Sequence, residues 1–193
     1  MASNNIEIEA KVLLSKKDYQ KLLSLITFNP NIKKQENFFL DSEIRELRKY
    51  NIMVRLRKRE GYKLTLKAPL SEGLLEKNQK IDEKDALSLI ERNVFPRGEI
   101  YDFLEMLHIN IDKLKILASL ATERQESTYN GYPINISKNT YGSKVDYELE
   151  VDSDSRQKSE DVIREICNQY DIKFKLNTLS KENRAIEEAL SKK

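Results

Sequence analysis

The feature that most constrains this chain is an alternation of charged and apolar residues that returns on segment after segment. In "IEIEAKV", Glu7, Glu9 and Lys11 alternate with Ile6, Ile8, Ala10 and Val12. In "IMVRLRKRE", Arg55, Arg57 and Arg59 stand opposite Val54 and Leu56. In "YKLTLKA", Lys63, Thr65 and Lys67 stand opposite Tyr62, Leu64 and Leu66. "LLEKNQKID" puts Glu76, Lys80 and Asp82 on one parity, and the long run "KLKILASLATERQEST" does the same for Thr122, Arg124 and Glu126. "KVDYELEVD" carries an acidic row, Asp146, Glu148, Glu150 and Asp152, against Val145, Tyr147, Leu149 and Val151. Successive strand side chains point to opposite faces, so this period of two predicts strands with one charged and one apolar face.

"QENFFLD" and "YNGYPINISKN" complete a set of eight strands, the latter opening on Asn130-Gly131, a strong hairpin signal. Between and after them lie helical spacings: "SKKDYQKLLSLI" with Ser15 as N-cap, a short "SEIRELRKYN", "EKDALSLIERN", "EIYDFLEMLHI", "SRQKSEDVIREICNQYDI" and "SKENRAIEEALSKK". Strands in mostly hairpin order with helices between and after them predict an α+β fold. Its sheet is an eight-stranded antiparallel β-barrel, a tunnel, with flanking and C-terminal helices. No linker or repeat divides residues 1–193, which read as a single domain.

The charged faces admit two readings. They face water around an apolar core, or the amphipathic helices cover the apolar faces outside and the charges line a wet lumen. The sorting of the charges favours the lumen. Glu7 and Glu9 lie at one end of the strand order and Glu148 and Glu150 at the other, which a closed barrel makes neighbours; Arg55, Arg57, Lys63, Lys67 and Arg124 lie between. Converging carboxylates call for a cation, and an all-oxygen donor set suits Mg²⁺ or Mn²⁺. A basic wall facing them suits phosphate oxygens. Glu76 and Asp82 read as ligands or as salt-bridge partners of that wall, and Glu46 and Arg48 as surface charge.

Composition removes other classes. A formal net charge of +2 is too balanced for nucleic-acid binding through bulk charge. With 5 glycines and no Gly-rich phosphate loop, a phosphate site must be built from side chains. The single cysteine, Cys167, cannot form an internal disulfide and reads as a core residue. His108, the single histidine, reads as a helix-end residue. With neither a signal peptide nor a membrane span in evidence, the expectation is a cytoplasmic protein that works without a membrane.

These rows, in this order, resemble the CYTH superfamily, the triphosphate tunnel metalloenzymes, and most closely its small single-domain bacterial branch. Glu7-Ile-Glu9-Ala-Lys11 matches the ExExK signature. Arg55 and Arg57 match RxR, Lys63 to Lys67 KxTxK, Arg124 the long-strand arginine, and Glu148 and Glu150 ExE. Lys181 and Arg184 match the basic C-terminal helix, so the resemblance runs from about residue 4 to about 188.

The resemblance implies a tunnel that binds a triphosphate-containing small molecule with divalent metal. Glu7, Glu9, Glu148 and Glu150 would hold the metal. Arg55, Arg57, Lys63, Lys67, Arg124, Lys181 and Arg184 would grip phosphate, and Lys11 would touch the chain or orient the attacking water. One position departs from the pattern: Ser137 stands where related sequences often carry an Asp. Serine supplies no negative charge, so a second metal is expected to bind more weakly or to lean on water or Asp146.

The expected activity is hydrolysis of inorganic tripolyphosphate to pyrophosphate and phosphate. The alternatives are adenylate cyclisation, hydrolysis of an organic triphosphate such as ATP or thiamine triphosphate, and non-catalytic polyphosphate or nucleotide binding. A base-binding pocket needs apolar or aromatic walls. The chain has no tryptophan, and the pattern does not bring Phe38, Phe39, Tyr62 and Tyr101 together. A monomer or a homodimer is compatible with the sequence.

Overall fold

The computed structural model describes residues 3–71 and 73–191, with side chains from Ile8 onward. In chain order the strands are β1 (Ser3–Glu7), β2 (Glu9–Leu14), β3 (Lys33–Asp41), β4 (Met53–Lys58), β5 (Tyr62–Pro69), β6 (Leu74–Ile81), β7 (Lys115–Tyr129), β8 (Tyr132–Tyr141) and β9 (Lys144–Asp152). The helices are α1 (Lys16–Leu25), α2 (Glu46–Lys49), α3 (Glu83–Arg92), α4 (Glu99–Met106), α5 (Arg156–Gln169) and α6 (Lys181–Leu190).

All strands join one antiparallel sheet in the order β1-β6-β5-β4-β3-β7-β8-β9-β2. The expected first strand is thus divided at Ile8: β1 pairs with β6 and β2 with β9. The backbone N–H of Ser153 donates to the carbonyl of Ile8 (3.2 Å), which carries the β9 ladder up to the break. The two edges of the sheet are therefore successive pieces of one chain. No ladder joins them directly; the chain itself does, and the sheet wraps into a tunnel with eight walls.

The hairpin signal of Asn130-Gly131 is realised. Both residues have positive φ (49° and 84°), and they join Tyr129 to its register partner Tyr132. Positive φ at both central positions matches the right-handed twist of the flanking strands.

Helices cover the apolar faces from outside. Val54, Leu56, Leu64 and Leu66 of β4 and β5 pack with Ala86 and Leu89 of α3 and Ile100 and Leu104 of α4. Ala10, Val12, Ile134, Ile136, Leu149 and Val151 pack with Leu22 of α1 and with Val162, Ile163, Ile166 and Cys167 of α5. Cys167 is a core residue, its thiol pushed up to about 11 by burial. Ser15 caps α1, accepting from the backbone N–H of Asp18 at 3.1 Å.

α6 behaves differently. Its Ala185 and Ile186 pack on Phe39, Ala118, Leu120 and Tyr141. Phe39 lies opposite Arg55 in the ladder and is therefore on the charged side of the sheet. The bore is consequently lined by charge along only part of its length, and α6 packs one stretch with apolar side chains. The same helix carries Lys181 and Arg184 into the charged stretch.

Candidate active site

The charged side of the sheet encloses a cavity of about 300 Å³, at the low end of the roughly 300–1,000 Å³ typical of small-ligand pockets. Of the residues singled out from the sequence, Glu9, Lys11, Arg55, Arg57, Lys67, Arg124, Glu150 and Lys181 line it. Three others do not. Glu148 lies just behind the wall, fully buried. Lys63 pairs in register with Arg57 and is half-buried, beyond the cavity. Arg184 is turned away, as described below. Glu7 ends β1, and its side chain lies outside the described residues.

The carboxylate side is closely paired. Register brings the first and last strands together as the sorting of charge predicts, with Lys11 opposite Glu150 and Glu9 opposite Asp152. The ammonium of Lys181 lies 3.0 Å from Glu148 Oε2 and 2.8 Å from Glu150 Oε1, so two carboxylates converge on one cation. Arg124 pairs with Glu150 and donates from Nε to Ser137 Oγ at 3.2 Å. Lys11 Nζ lies 2.6 Å from Glu9 Oε1. Burial pushes the Glu150 carboxyl up, but Arg124, Lys181 and Lys11 outweigh it and hold it well below the usual carboxylate range. Burial lowers Lys11, yet Glu9, Glu150 and Glu148 together raise it above an ordinary lysine. Asp152 is pushed up to about 6 by burial and by the charges of Glu9 and Glu150.

Arg184 serves this cluster as a tie. Its guanidinium reaches Asp146 Oδ2 at 2.9 Å, Glu148 Oε2 at 3.4 Å and the carbonyl of Leu179 at 2.8 Å. Asp146 also accepts from Asn139 Nδ2 at 2.9 Å and Tyr141 Oη at 2.7 Å. Asp146 is therefore committed to holding α6 against β8 and β9. Ser137 is buried opposite Glu148 and engages Arg124.

The opposite side is short of anions. Among the described residues Arg55 Nε is buried without a hydrogen-bond partner, as is Asn37 Oδ1 on the neighbouring strand β3. Burial lowers the Arg55 guanidinium, and Arg124 adds to the effect. Arg57 is lowered to about 10 by burial and by the neighbouring Arg55 and Arg59. Burial and Arg57 likewise lower Lys63. Burial lowers Lys67 despite Glu76, whose Oε2 lies 3.4 Å from its ammonium. Glu76 is thus the salt-bridge partner of the wall. Asp82 is a structural cap, accepting from the backbone N–H of Asp85 at the start of α3 (2.8 Å).

The sequence reading misses several lining residues. Arg48, taken there as surface charge, is exposed but borders the cavity, and it donates to Asn183 Oδ1 (2.8 Å) and Glu187 Oε1 (3.2 Å) of α6. It is placed there by Asp41, fully buried, which accepts from the backbone N–H groups of Ser42, Leu47 and Arg48 and from Arg45 Nε. Asp152 and Glu182 also line the cavity. A helix repeat marks Glu182 only as a polar position, whereas Asp152 belongs to the acidic row of β9.

The CYTH domain family model matches residues 5–186. The chain belongs to the CYTH family. It is 30% identical over 172 residues to YjbK of Bacillus subtilis, a protein with a provisional triphosphatase name, covering 88% of this chain and 89% of YjbK. The crystal structure of a provisionally named adenylate cyclase from Bacillus halodurans superposes with a TM-score of 0.85 at 32% identity, over 94% of this chain and 97% of that one. HpAC1 from Hippeastrum, described as having a dominant triphosphatase activity, shares the fold at 20% identity and a TM-score of 0.76, over 91% of this chain and 93% of its own. On this fold Glu9, Lys11, Arg55, Arg57, Lys67, Arg124, Glu150 and Lys181 meet around one cavity. Among the described residues no helix is long and apolar enough to cross a membrane.

Proposed function

We propose that the protein is a divalent-metal-dependent triphosphate hydrolase that cleaves inorganic tripolyphosphate to pyrophosphate and phosphate. The observation that carries this reading is the buried Nε of Arg55, unpaired among the described residues, in a wall where burial and neighbouring arginines also lower Arg57 and Lys63. Buried donors without partners are rare because each forfeits hydrogen-bond energy. A phosphate chain would supply the missing acceptors and the missing negative charge together. The names of the Bacillus relatives support the same class of substrate.

The donor set suits a hard cation. Glu148 and Glu150 already converge on the ammonium of Lys181, and only oxygen ligands are at hand. As they stand, the described carboxylates form no group of three arranged to hold a metal ion; cations of the chain itself occupy them. Glu9, Glu148 and Glu150, with Glu7 by family pattern, would hold Mg²⁺ or Mn²⁺. When bound, such an ion supplies charge neutralisation on phosphate oxygens and a water poised for attack.

The side chains supply the rest. Arg55, Arg57 and Arg124 donate to equatorial phosphoryl oxygens, where negative charge spreads during in-line transfer. Lys67 and Lys181 act as point charges beside them. Lys11 stays protonated, since three carboxylates raise it, and so can hold a phosphoryl oxygen but cannot take a proton at neutral pH. Arg184 keeps Glu148 and α6 in place.

The size of the cavity and its walls favour the inorganic chain over a nucleotide. Among the described residues Phe39 is the one aromatic lining the cavity, and no second ring completes a base-binding slot. Phosphate release from tripolyphosphate with Mg²⁺ or Mn²⁺, read with malachite green beside ATP, GTP and thiamine triphosphate, tests the reading. Release from tripolyphosphate above the Glu148→Ala background is expected. Cyclic AMP from ATP would favour cyclisation. Binding without turnover over hours would make the protein a sensor.

A further inference from the structure

Each carboxyl group lining the cavity has a partner except one. Glu9 accepts from Lys11, Glu150 from Arg124 and Lys181, and Asp152 from Asn135 Nδ2 at 3.2 Å. Glu182, in the first turn of α6, is only 7% exposed, and among the described residues nothing donates to it or pairs with it. Its neighbours come from three elements. Asp41 and Arg45 precede α2, Arg48 lies on α2, and Arg55 lies on β4. None of these arginines forms an ion pair with it among the described residues: Arg45 pairs with Asp41, Arg48 with Asn183 and Glu187, and Arg55 Nε is left without a partner.

A carboxylate at this position would sit inside the cradle of a polyanion and repel it. Burial first, then the like charge of Asp41, against the pull of the arginines, pushes the Glu182 carboxyl up to about 8. That environment favours the carboxylic acid at neutral pH, and its O–H meets no acceptor side chain among the described residues.

We propose that Glu182 binds the phosphate chain as a neutral carboxylic acid, donating its O–H to a phosphoryl oxygen beside Arg55, so that binding of the chain is coupled to protonation of this side chain. The inference rests on the reading of the cavity as a triphosphate site. No covalent bond changes. Where the free protein has lost the proton, binding takes it up from solvent.

The test is calorimetric titration of tripolyphosphate without added metal, so that turnover does not intervene, in two buffers of different ionisation heat. At pH 8 the wild type is expected to take up about half a proton more per chain bound than Glu182→Gln, since a group with its pKa near that pH is half ionised. Above pH 8 wild-type affinity should fall more steeply than that of Glu182→Gln, the difference approaching tenfold per pH unit, the limit for one linked proton. Glu182→Ala, which has no donor, should bind more weakly than wild type at pH 6.5. Equal proton uptake by wild type and Glu182→Gln, or affinities falling in parallel, would overturn the inference while leaving the chain-binding reading intact. If folded wild type and both variants all fail to bind the chain, with or without Mg²⁺, the reading and the inference fall together.

Discussion

The two sides of the bore are built on opposite principles. Along β2, β9 and α6, the buried charged groups are answered, Glu182 excepted: Lys181 bridges Glu148 and Glu150, Arg124 meets Glu150, Lys11 meets Glu9, and Arg184 locks Asp146 and Glu148. Along β4 and β5, charges of one sign are crowded with too few partners, and Arg55 Nε is left with none. A side whose charges are mutually satisfied stabilises its own geometry, because removing one member strands the others. A side whose charges are unsatisfied costs stability and stores it as affinity, since a ligand of opposite charge repairs the deficit. The first side is suited to holding cations and the α6 plug, the second to receiving an anion.

This contrast can be broken by mutation, and the sharpest break is on the unsatisfied side. Arg55→Ala should lower kcat/KM for tripolyphosphate by roughly 100- to 1,000-fold, the scale of losing one buried donor to developing charge. Its thermal unfolding temperature should stay the same or rise. Steady-state kinetics and calorimetry on one preparation read both.

The mirror-image change is Glu148→Gln. It leaves Lys181 and Arg184 facing a neutral group and should cost about 3–5 kcal/mol of stability, as breaking buried pairs does. Urea unfolding measures it, and a loss under 1 kcal/mol would show that the satisfied side does not support the fold. Ile186→Ala, which hollows the apolar contact of α6 with Phe39 and Leu120, should cost about 2–4 kcal/mol and loosen Lys181 with it.

The smallest effect is a pH dependence that comes from one residue. Glu182 is raised from an ordinary glutamate value to about 8 in the folded protein. A carboxyl raised by folding binds more protons when folded, so its stabilising contribution is complete below its unfolded pKa and is lost as pH rises through the folded one. Between about pH 5 and 8, wild-type stability should therefore fall relative to Glu182→Gln, by at most a few kcal/mol. Parallel unfolding curves for the two proteins across that range would remove Glu182 from the account.

The strands and their inner faces were legible in the sequence because a period of two is local. Glu148 and Glu150 alternate with Leu149 and Val151 wherever the strand is placed, and a positive-φ turn at Asn130-Gly131 needs no tertiary information. The meeting of the first and last strands was legible at one remove, through the sorting of charge between them, but their register, Lys11 opposite Glu150, was not. What was hidden depends on packing between distant segments. The break at Ile8 separates a piece that pairs with β6 from a piece that pairs with β9, partners far along the chain. The entry of α6 into the bore is set by Ala185 and Ile186 meeting residues of β3, β7 and β8, and a helical stripe does not say which surface it will meet. Arg184 carries the family's basic pattern, yet its geometry spends it on Asp146. Arg48 and Glu182 read as ordinary polar helix positions until Asp41 and α6 bring them to the cavity.

Equilibrium dialysis of labelled tripolyphosphate against wild type and Arg55→Ala tests most directly whether the under-paired wall is what takes the anion. The account predicts one chain bound per wild-type molecule, with affinity reduced on the order of 100-fold in the folded variant. A variant that binds as tightly as wild type, or a wild type that binds no chain with or without Mg²⁺, would contradict it.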